Sequence, residues 1–377
     1  MIPDERNPRT RPVFKLAAID DQEKFKPLPA PTGTYPYRLN INKLIPEIND
    51  DHLSFQMAGD TGELHFIENQ QQVIGALVQQ CKAGGLQAPQ FFFHLGDVVY
   101  NYGQASEYYR QFFNAWRKYP CPIFAISGNH DADIDPLEKD PPHSLDAFMS
   151  VFCNRVQIDL EIAGDTGRKT NIQPNVYWVL ETTMADIIGL YSNVPRFGNV
   201  QDDQRQWFIE ALKTAAANQK AVIVCLHHSA YSADTNHGSS VHMQMLIDGA
   251  IRESGVYPDV VFSGHVHNYQ RFHKYYPNGR MIPFIVAGGG GYAGLHTLAR
   301  RDDPEYPDTS SLLDDVVLQN YCDDQHGFLK IALSRTVDGV LIEGSYFTTD
   351  TGVAVLYDSF SIKKHLPYDI VPIAGRQ

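Results

Sequence analysis

From Ser54 onward the chain alternates short apolar runs with amphipathic segments, the signature of strands connected through helices in βαβ units. "ENQQQVIGALVQQCKAGG" places Val73, Leu77 and Cys81 at successive four-residue steps on one helical face, with Gly84-Gly85 as a stop. "ASEYYRQFFNAWRKYP" reads as a helix ending at Pro120, and "DDQRQWFIEALKTAAANQK" as one that starts on an acidic cap. The last third closes with "FLKIALS", "VLIEGSYF" and "YDSFSIKKH", strand-like segments with turn residues between them.

Two stretches break this rhythm. Residues 1–50 carry Pro3, Pro8, Pro12, Pro27, Pro29, Pro31, Pro36 and Pro46, and are expected to form an extended arm packed on a domain spanning residues 51–377. Residues 131–173 form a polar insertion longer than most connections, expected to shape an active-site rim.

Composition narrows the classes. The 377 residues are 43% hydrophobic and 20% charged, ordinary for a soluble globular chain with a sizeable core. The formal charge of −13, with no Lys/Arg-rich block, argues against a stable nucleic-acid partner and requires any anionic substrate to meet a locally positive site. Five cysteines (Cys81, Cys121, Cys153, Cys225, Cys322) form an odd, scattered set without C-x-x-C and are expected as free thiols. No run reaches transmembrane length, and the N-terminal stretch shows neither a signal-peptide core nor, further on, any N-x-S/T sequon. No membrane partner is expected, and the placement expected is cytoplasmic, or secreted or periplasmic if the chain is a mature form. Nothing in the sequence speaks to oligomeric state.

Candidate chemistry gathers at five apolar runs. They are "SFQMAGDTG" (Asp60), "FFFHLGDVVY" (Asp97, Tyr100), "IFAISGNHD" (Asn129, His130, Asp131), "VIVCLHH" (His227, His228) and "VVFSGHVH" (His265, His267). Ligands in open α/β sheets bind beyond the carboxyl ends of strands, so these ends can surround one crevice although they span over two hundred residues. Tyr100 is the odd member. A phenol of pKa about 10 is a poor ligand for divalent ions, so Tyr100 is either packing or the mark of an unusual metal. GDTG occurs twice; Asp60 follows an apolar run, whereas Asp165 lies in the polar insertion and reads as a surface turn.

In this order GDTG, GDVVY, GNHD, VCLH and GHVH resemble the metallophosphoesterase (calcineurin-like) superfamily, and most closely the purple acid phosphatases. The general superfamily has a histidine two residues after its first aspartate, where this chain has Gly62; the purple acid phosphatases have instead a tyrosine three residues beyond the second aspartate. Asn268 and Gln270 depart from the Tyr-Glu-Arg version of the large plant members. The resemblance implies a mixed α/β, four-layer αββα sandwich with the metal site at the strand ends. It implies a ferric ion on Asp60, Asp97, Tyr100 and His267, and a divalent ion on Asp97, Asn129, His227 and His265, with Asp97 bridging. Fe, Zn and Mn stay open for the second metal.

Such a pair would hold phosphate and supply a bridging hydroxide as nucleophile, which points to a small phosphorylated substrate and phosphomonoester hydrolysis. His130 is the candidate to protonate the leaving oxygen, Asp131 to orient it, and His228 a further catalytic candidate. A phosphodiesterase on the same scaffold and a non-catalytic phosphate-binding protein are the competing readings. "VAGGGGYAG" lacks the phosphate-loop spacing and reads as a glycine turn; Asp314-Asp315 and Asp323-Asp324 read as solvated. His242, His273, His296 and His326 have no motif support, though His237 or His242 could line the pocket.

Overall fold

The computed structural model describes residues 8–15, 21–85, 87–306, 311–349 and 352–366; Pro3 lies outside them. In chain order the strands are β1 (Arg38–Asn40), β2 (His52–Ala58), β3 (Phe92–His94), β4 (Ile123–Ala125), β5 (Trp178–Glu181), β6 (Ala185–Gly189) and β7 (Ala221–Leu226). There follow β8 (Val260–Ser263), β9 (Tyr269–Tyr275), β10 (Met281–Ala287), β11 (Val316–Cys322), β12 (Gly327–Thr336), β13 (Gly339–Thr348) and β14 (Val355–His365). One mixed sheet runs β1-β5-β6-β7-β8-β10-β9-β11 and the other β14-β13-β12-β2-β3-β4. The central pairs β2/β3, β3/β4 and β7/β8 are parallel, so the five motif-bearing ends point the same way within each sheet.

Alternation along each strand explains the layering. In β2, Leu53, Phe55 and Met57 face the other sheet and join Phe93, Trp178, Ile223, Phe262, Ile285, Leu329, Ile331 and Leu333 in a core between the sheets. The alternate positions face outward: Ala58 packs with Val73 and Leu77 of α1 (Ile67–Lys82), while Val222 and Val224 meet the helices on the opposite flank. Strands covered on both faces are near-continuously apolar for this reason.

The helices, after α1, are α2 (Ala105–Tyr108), α3 (Asn129–Ala132), α4 (Asp146–Phe152), α5 (Asp202–Ala217) and α6 (Val241–Ser254). The segment expected as one helix up to Pro120 is α2 continued by a π-helical turn, Tyr109–Asn114, which turns the buried Gln111 toward Tyr100. Helix α6 opens on Ser240, whose side chain accepts from the Met243 N–H, and stops at Gly255 with φ 73°. It buries Met243, Leu246, Ile247, Ala250 and Ile251, an i, i+3, i+4, i+7, i+8 stripe.

Two expectations need correction. The insertion at 131–173 is not a rim throughout: Asn171 donates to the Ile123 carbonyl at 2.7 Å, and Arg168 to Trp116 and Tyr119 carbonyls at 3.1 and 2.6 Å. Arg168 and Asn171 therefore pack at the amino end of β4, and Gln173 follows the strand's edge to Ala125, whose N–H and carbonyl its side chain pairs at 2.8 Å each. Asp323 is not solvated either; it is buried and accepts the Leu298 N–H at 2.9 Å. In the proline-rich segment, residues 38–40 pair with β5 as an edge strand. The five cysteines are free thiols, with Cys153, Cys225 and Cys322 buried. No helix among the described residues is long and apolar enough to cross a membrane.

Candidate metal centre

The carboxyl ends of β2, β3 and β4 from one sheet meet those of β7 and β8 from the other, and each turn delivers polar side chains into the junction. Asp60, Asp97 and His265 have φ of 58°, 55° and 68°, left-handed values that side-chain-bearing residues adopt at a cost. Three such residues on three separate strand ends are held by mutual bonds. The Asp60 N–H donates to the Gly96 carbonyl at 2.9 Å; Asp60 Oδ2 accepts the His265 N–H at 2.8 Å, and Asp97 Oδ1 the His130 N–H at 2.9 Å. Each carboxylate thus spends one oxygen on a backbone amide and aims the other inward.

The imidazoles are oriented by the same logic. His227 Nδ1 lies 2.8 Å from the Leu95 carbonyl and His267 Nδ1 3.0 Å from that of Gly294, so both donate there and present Nε2 lone pairs to the centre. His227 Nε2 then faces Asp97 Oδ2 at 3.3 Å and Asn129 Oδ1 at 3.1 Å; His267 Nε2 faces Asp60 Oδ1 at 3.5 Å. His265 offers Nδ1, 2.9 Å from the same Asn129 oxygen. Lone pairs aimed at oxygen lone pairs in a buried site repel unless a cation or proton lies between them. Ligand atoms of Asp60, Asp97 and His227 all fall within 4.8 Å of one another, so the donor set fits metal binding.

Without a cation the protons take its place. Burial works against a charged His227, yet Asp97 raises it to about 9; burial likewise opposes ionised Asp97, which His227 and His130 hold below the usual carboxylate range. His265 is pushed well below its ordinary value by burial and by the neighbouring histidines His237 and His228, so it is a neutral donor.

Tyr100 reaches the centre. Its hydroxyl donates to Asp60 Oδ1 at 3.1 Å and lies 3.3 Å from His267 Nε2. Burial first, then Asp60 and Asp97, push the phenol well above its ordinary value, so only a strong Lewis acid would draw off its proton. The ring also helps to account for Gly62: a Cβ there would come within 2.8 Å of Gln111 Oε1 and of the Val98 carbonyl oxygen, and 2.9 Å of Tyr100 Cδ2. A side chain at position 62 would have to displace the turn, Gln111 and the Tyr100 ring together. Gln111, from the π turn, grips Tyr100 through both its backbone N–H, at 2.9 Å, and its carbonyl.

His130, half-buried, stacks obliquely on Tyr100 with ring centroids 4.5 Å apart, and its Nδ1 donates to the Asn101 carbonyl at 2.6 Å. Nε2 is left as the nitrogen that can exchange a proton at the site. Asp131 does not orient His130, a correction to the sequence expectation. Its fully buried carboxylate accepts from Val98 N–H at 2.9 Å, Val99 N–H at 3.1 Å and Gly128 N–H at 2.8 Å, stitching the Asp97 turn to the Asn129 turn. Burial and Asp97 push Asp131 up to about 8, against the pull of the amides. His228 is buried under His265, ring centroids 4.3 Å apart, with Nδ1 2.7 Å from Ser192 Oγ.

Several residues at the centre carried no motif. His237 packs 4.1 Å from His265 and His296 stacks 4.4 Å over His267, with Asp234 3.4 Å from His296 Nδ1. His242 instead faces the Gly198 carbonyl, 3.1 Å away, on α6. His94, directly before the Asp97 turn, bonds Thr61 Oγ1 at 2.7 Å and accepts the Gly96 N–H at 3.1 Å. The glycine run after β10 is more than a turn: a Cβ on Gly288 would sit 2.8 Å from Asp60 Oδ2. Gly128 is just as constrained, since any Cβ would overlap Asp97 Oδ1. Gly128→Ala is expected to dislodge the Asp97 carboxylate and to cost about 1–3 kcal/mol in overpacking, read as a lower denaturation midpoint together with metal loss in elemental analysis.

A family model described as calcineurin-like phosphoesterase matches residues 53–269, more than half of the chain and every motif end of the crevice. The chain belongs to that family. A calcineurin-like phosphoesterase is a metal-dependent hydrolase of phosphate esters, and the buried Asp60, Asp97 and His227 are where this one can hold a metal. Among curated proteins it is similar to purple acid phosphatase 18 of Arabidopsis thaliana, 24% identical over 273 residues. The match covers 67% of this chain and 53% of that protein, so the chain spans about half the length of this relative. Among solved structures, one of PhoD aligns with a TM-score of 0.52 and 13% identity, covering 90% of this chain and 72% of that one, a likeness of fold. A dimetal phosphatase from Danio rerio aligns with a TM-score of 0.48 and 12% identity, covering 82% and 98%.

Proposed function

We propose that this phosphoesterase is a phosphomonoesterase of the purple acid phosphatase type. Asp60, Asp97, Tyr100 and His267 would hold a ferric ion, and Asp97, Asn129, His227 and His265 a divalent Fe, Zn or Mn ion. The observation that carries this reading is the Tyr100 hydroxyl, 3.1 Å from Asp60 Oδ1 and 3.3 Å from His267 Nε2, in space that Gly62 leaves open. Bound metal ions supply the Lewis acidity that engages phosphate oxygens and acidifies water for attack on phosphorus.

The chain's own residues do the rest. His227 and His267 keep Nε2 inward because Leu95 and Gly294 carbonyls take their Nδ1 protons. His130 holds its ring against Tyr100 and delivers a proton from Nε2 to the leaving alkoxide as the P–O bond breaks, releasing an alcohol and phosphate. Asp131 keeps the two turns in register without touching substrate.

The test is a visible absorption spectrum with elemental analysis, repeated on Tyr100→Phe, alongside rates on an aryl monoester and its methyl diester. A charge-transfer band accompanied by iron and lost in the variant, with the monoester preferred, is the expected result. Colourless active protein holding only divalent metal would make Tyr100 a packing residue, and a diester preference would move the enzyme to the phosphodiesterases.

A further inference from the structure

The five thiols differ in what surrounds them. Cys153, Cys225 and Cys322 are buried apart from other thiols, whereas Cys81, on the last turn of α1, and Cys121, just before β4, are half-buried and lie together. Gln56, on the outer face of β2, is the hub between them. Its Oε1 accepts the Tyr119 hydroxyl at 2.9 Å and the Cys81 S–H at 3.6 Å. Its Nε2 donates to the Leu77 carbonyl at 3.3 Å and to Gln80 Oε1 at 3.0 Å, which fixes the last turns of α1 over the strand. Tyr119 leads the chain to Cys121, whose S–H turns between the Pro89 carbonyl, 3.3 Å away, and the Cys81 sulfur.

A cation completes the group. Lys330 of β12 is the register partner of Gln56 and so shares its outward face beneath α1. It forms no ion pair with a carboxylate among the described residues, and Cys81 is the group that favours its charge against burial. Cys121, then Tyr119 and Lys330, hold the Cys81 thiol below its ordinary value against the opposing effect of burial. The bond that Cys121 donates, together with burial, pushes its own thiol up. The two sulfurs are therefore unequal: Cys81 is the one that ionises, and Cys121 the one that keeps its proton. Cys121 also borders a cavity of about 300 Å³ shared with Arg117, Arg168 and Lys169, so small molecules can approach the pair.

We propose that Cys81 and Cys121 form a redox-active dithiol, a modification site for hydroperoxides beside the amino end of β4. The Cys81 thiolate attacks a peroxide oxygen, the O–O bond breaks, and protonation of the departing oxygen releases water or an alcohol, leaving Cys81 as a sulfenic acid. Cys121 gives up its proton and attacks that sulfur; the S–O bond breaks, a disulfide forms and water leaves. Two thiols are oxidised by two electrons in all, and one peroxide is reduced. The bridge ties α1 to the start of β4. Gln70 of the same helix holds the Thr61 and Gln111 carbonyls at 2.7 Å each, so the helix that the bridge anchors also supports the metal centre. The proposal does not rest on the phosphatase reading.

The experiment treats full-length protein with a few equivalents of hydrogen peroxide, blocks remaining thiols with N-ethylmaleimide after unfolding, and maps the peptides by mass spectrometry, beside Cys81→Ser and Cys121→Ser. The expected product is an intrachain Cys81–Cys121 disulfide that dithiothreitol reverses, with Cys153, Cys225 and Cys322 still able to take the maleimide. Cys81→Ser should slow thiol loss roughly tenfold or more, and Cys121→Ser should stop at a Cys81 sulfenic acid that dimedone traps. No bridge in the unaltered protein, whether both thiols stay reduced or Cys81 oxidises alone, would overturn the proposal. So would oxidation spread evenly over the five thiols, or a bridge that joins two chains. If either serine variant does not fold, the map of the unaltered protein decides alone.

Discussion

Asp97→Asn is expected to lower kcat/KM for phosphate esters by roughly 10³-fold or more, the scale on which losing a preorganised electrostatic group is felt. Asp97 is the carboxylate whose Oδ2 faces His227 Nε2 while Oδ1 holds the His130 N–H, so one substitution disturbs metal charge balance and the proton donor together. The substitution should cost stability in both states of the protein. Metal-free, His227 and His130 hold the Asp97 carboxylate below its usual range, so neutralising it leaves buried His227 without its counter-charge. Metal-loaded protein should lose in addition the stabilisation that binding confers. Thermal denaturation with and without metal, together with elemental analysis, checks both: the metal-free midpoint should fall and the metal-dependent increment should collapse. A variant that kept full metal content and activity would remove Asp97 from the centre.

Asp131→Ala should be the most destabilising single change at the site, about 3–5 kcal/mol, because it strands three buried amides at once. Asp131→Asn retains an oxygen for Val98 and Val99 but turns an N–H₂ toward the Gly128 N–H, and is expected to cost less, about 1–3 kcal/mol. Since those amides set the turns that aim Asp97 and Asn129, metal affinity should fall roughly 10–100-fold in the Asn variant. Denaturant midpoints and competitive metal titration read the two effects. A direct catalytic role for Asp131 would show otherwise, as a collapse of kcat in Asp131→Asn with unchanged stability and metal affinity.

The difference between Asp131 and Asp97 shows how far motifs can be read. Both follow glycine-containing turns at apolar runs, and both are fully buried, but one faces the centre and the other faces amides. Spacing in GNHD cannot tell them apart, because direction depends on the turn's backbone and on which N–H groups of the neighbouring strand end lie within reach. Tyr100 was legible as an oddity in GDVVY, and Gly62 as a missing histidine; that the Tyr100 ring, Gln111 and the Val98 carbonyl leave no room for a side chain at position 62 emerged only from the packed turn. Helix α6 is written in local signals too: Ser240 as its cap, Gly255 as its stop and the buried stripe from Met243 to Ile251. The later half of the 131–173 insertion was not legible, since polar composition marks a loop without saying at which end of a sheet it lies.

By itself the sequence determined the strands that end in chemistry, their order, the family those ends belong to, and Asp60, Asp97 and His227 as side chains that can hold a metal, because strand periodicity and short motifs are local properties. Tertiary structure alone decided that two sheets share one crevice and that Gln111 grips Tyr100. It also decided that His237 and His296 roof the centre and that Lys15 and Arg196 meet at Asn236. Those contacts join residues up to 221 positions apart, and what fixes them is burial, with each polar atom removed from water needing a partner that only the packed chain supplies.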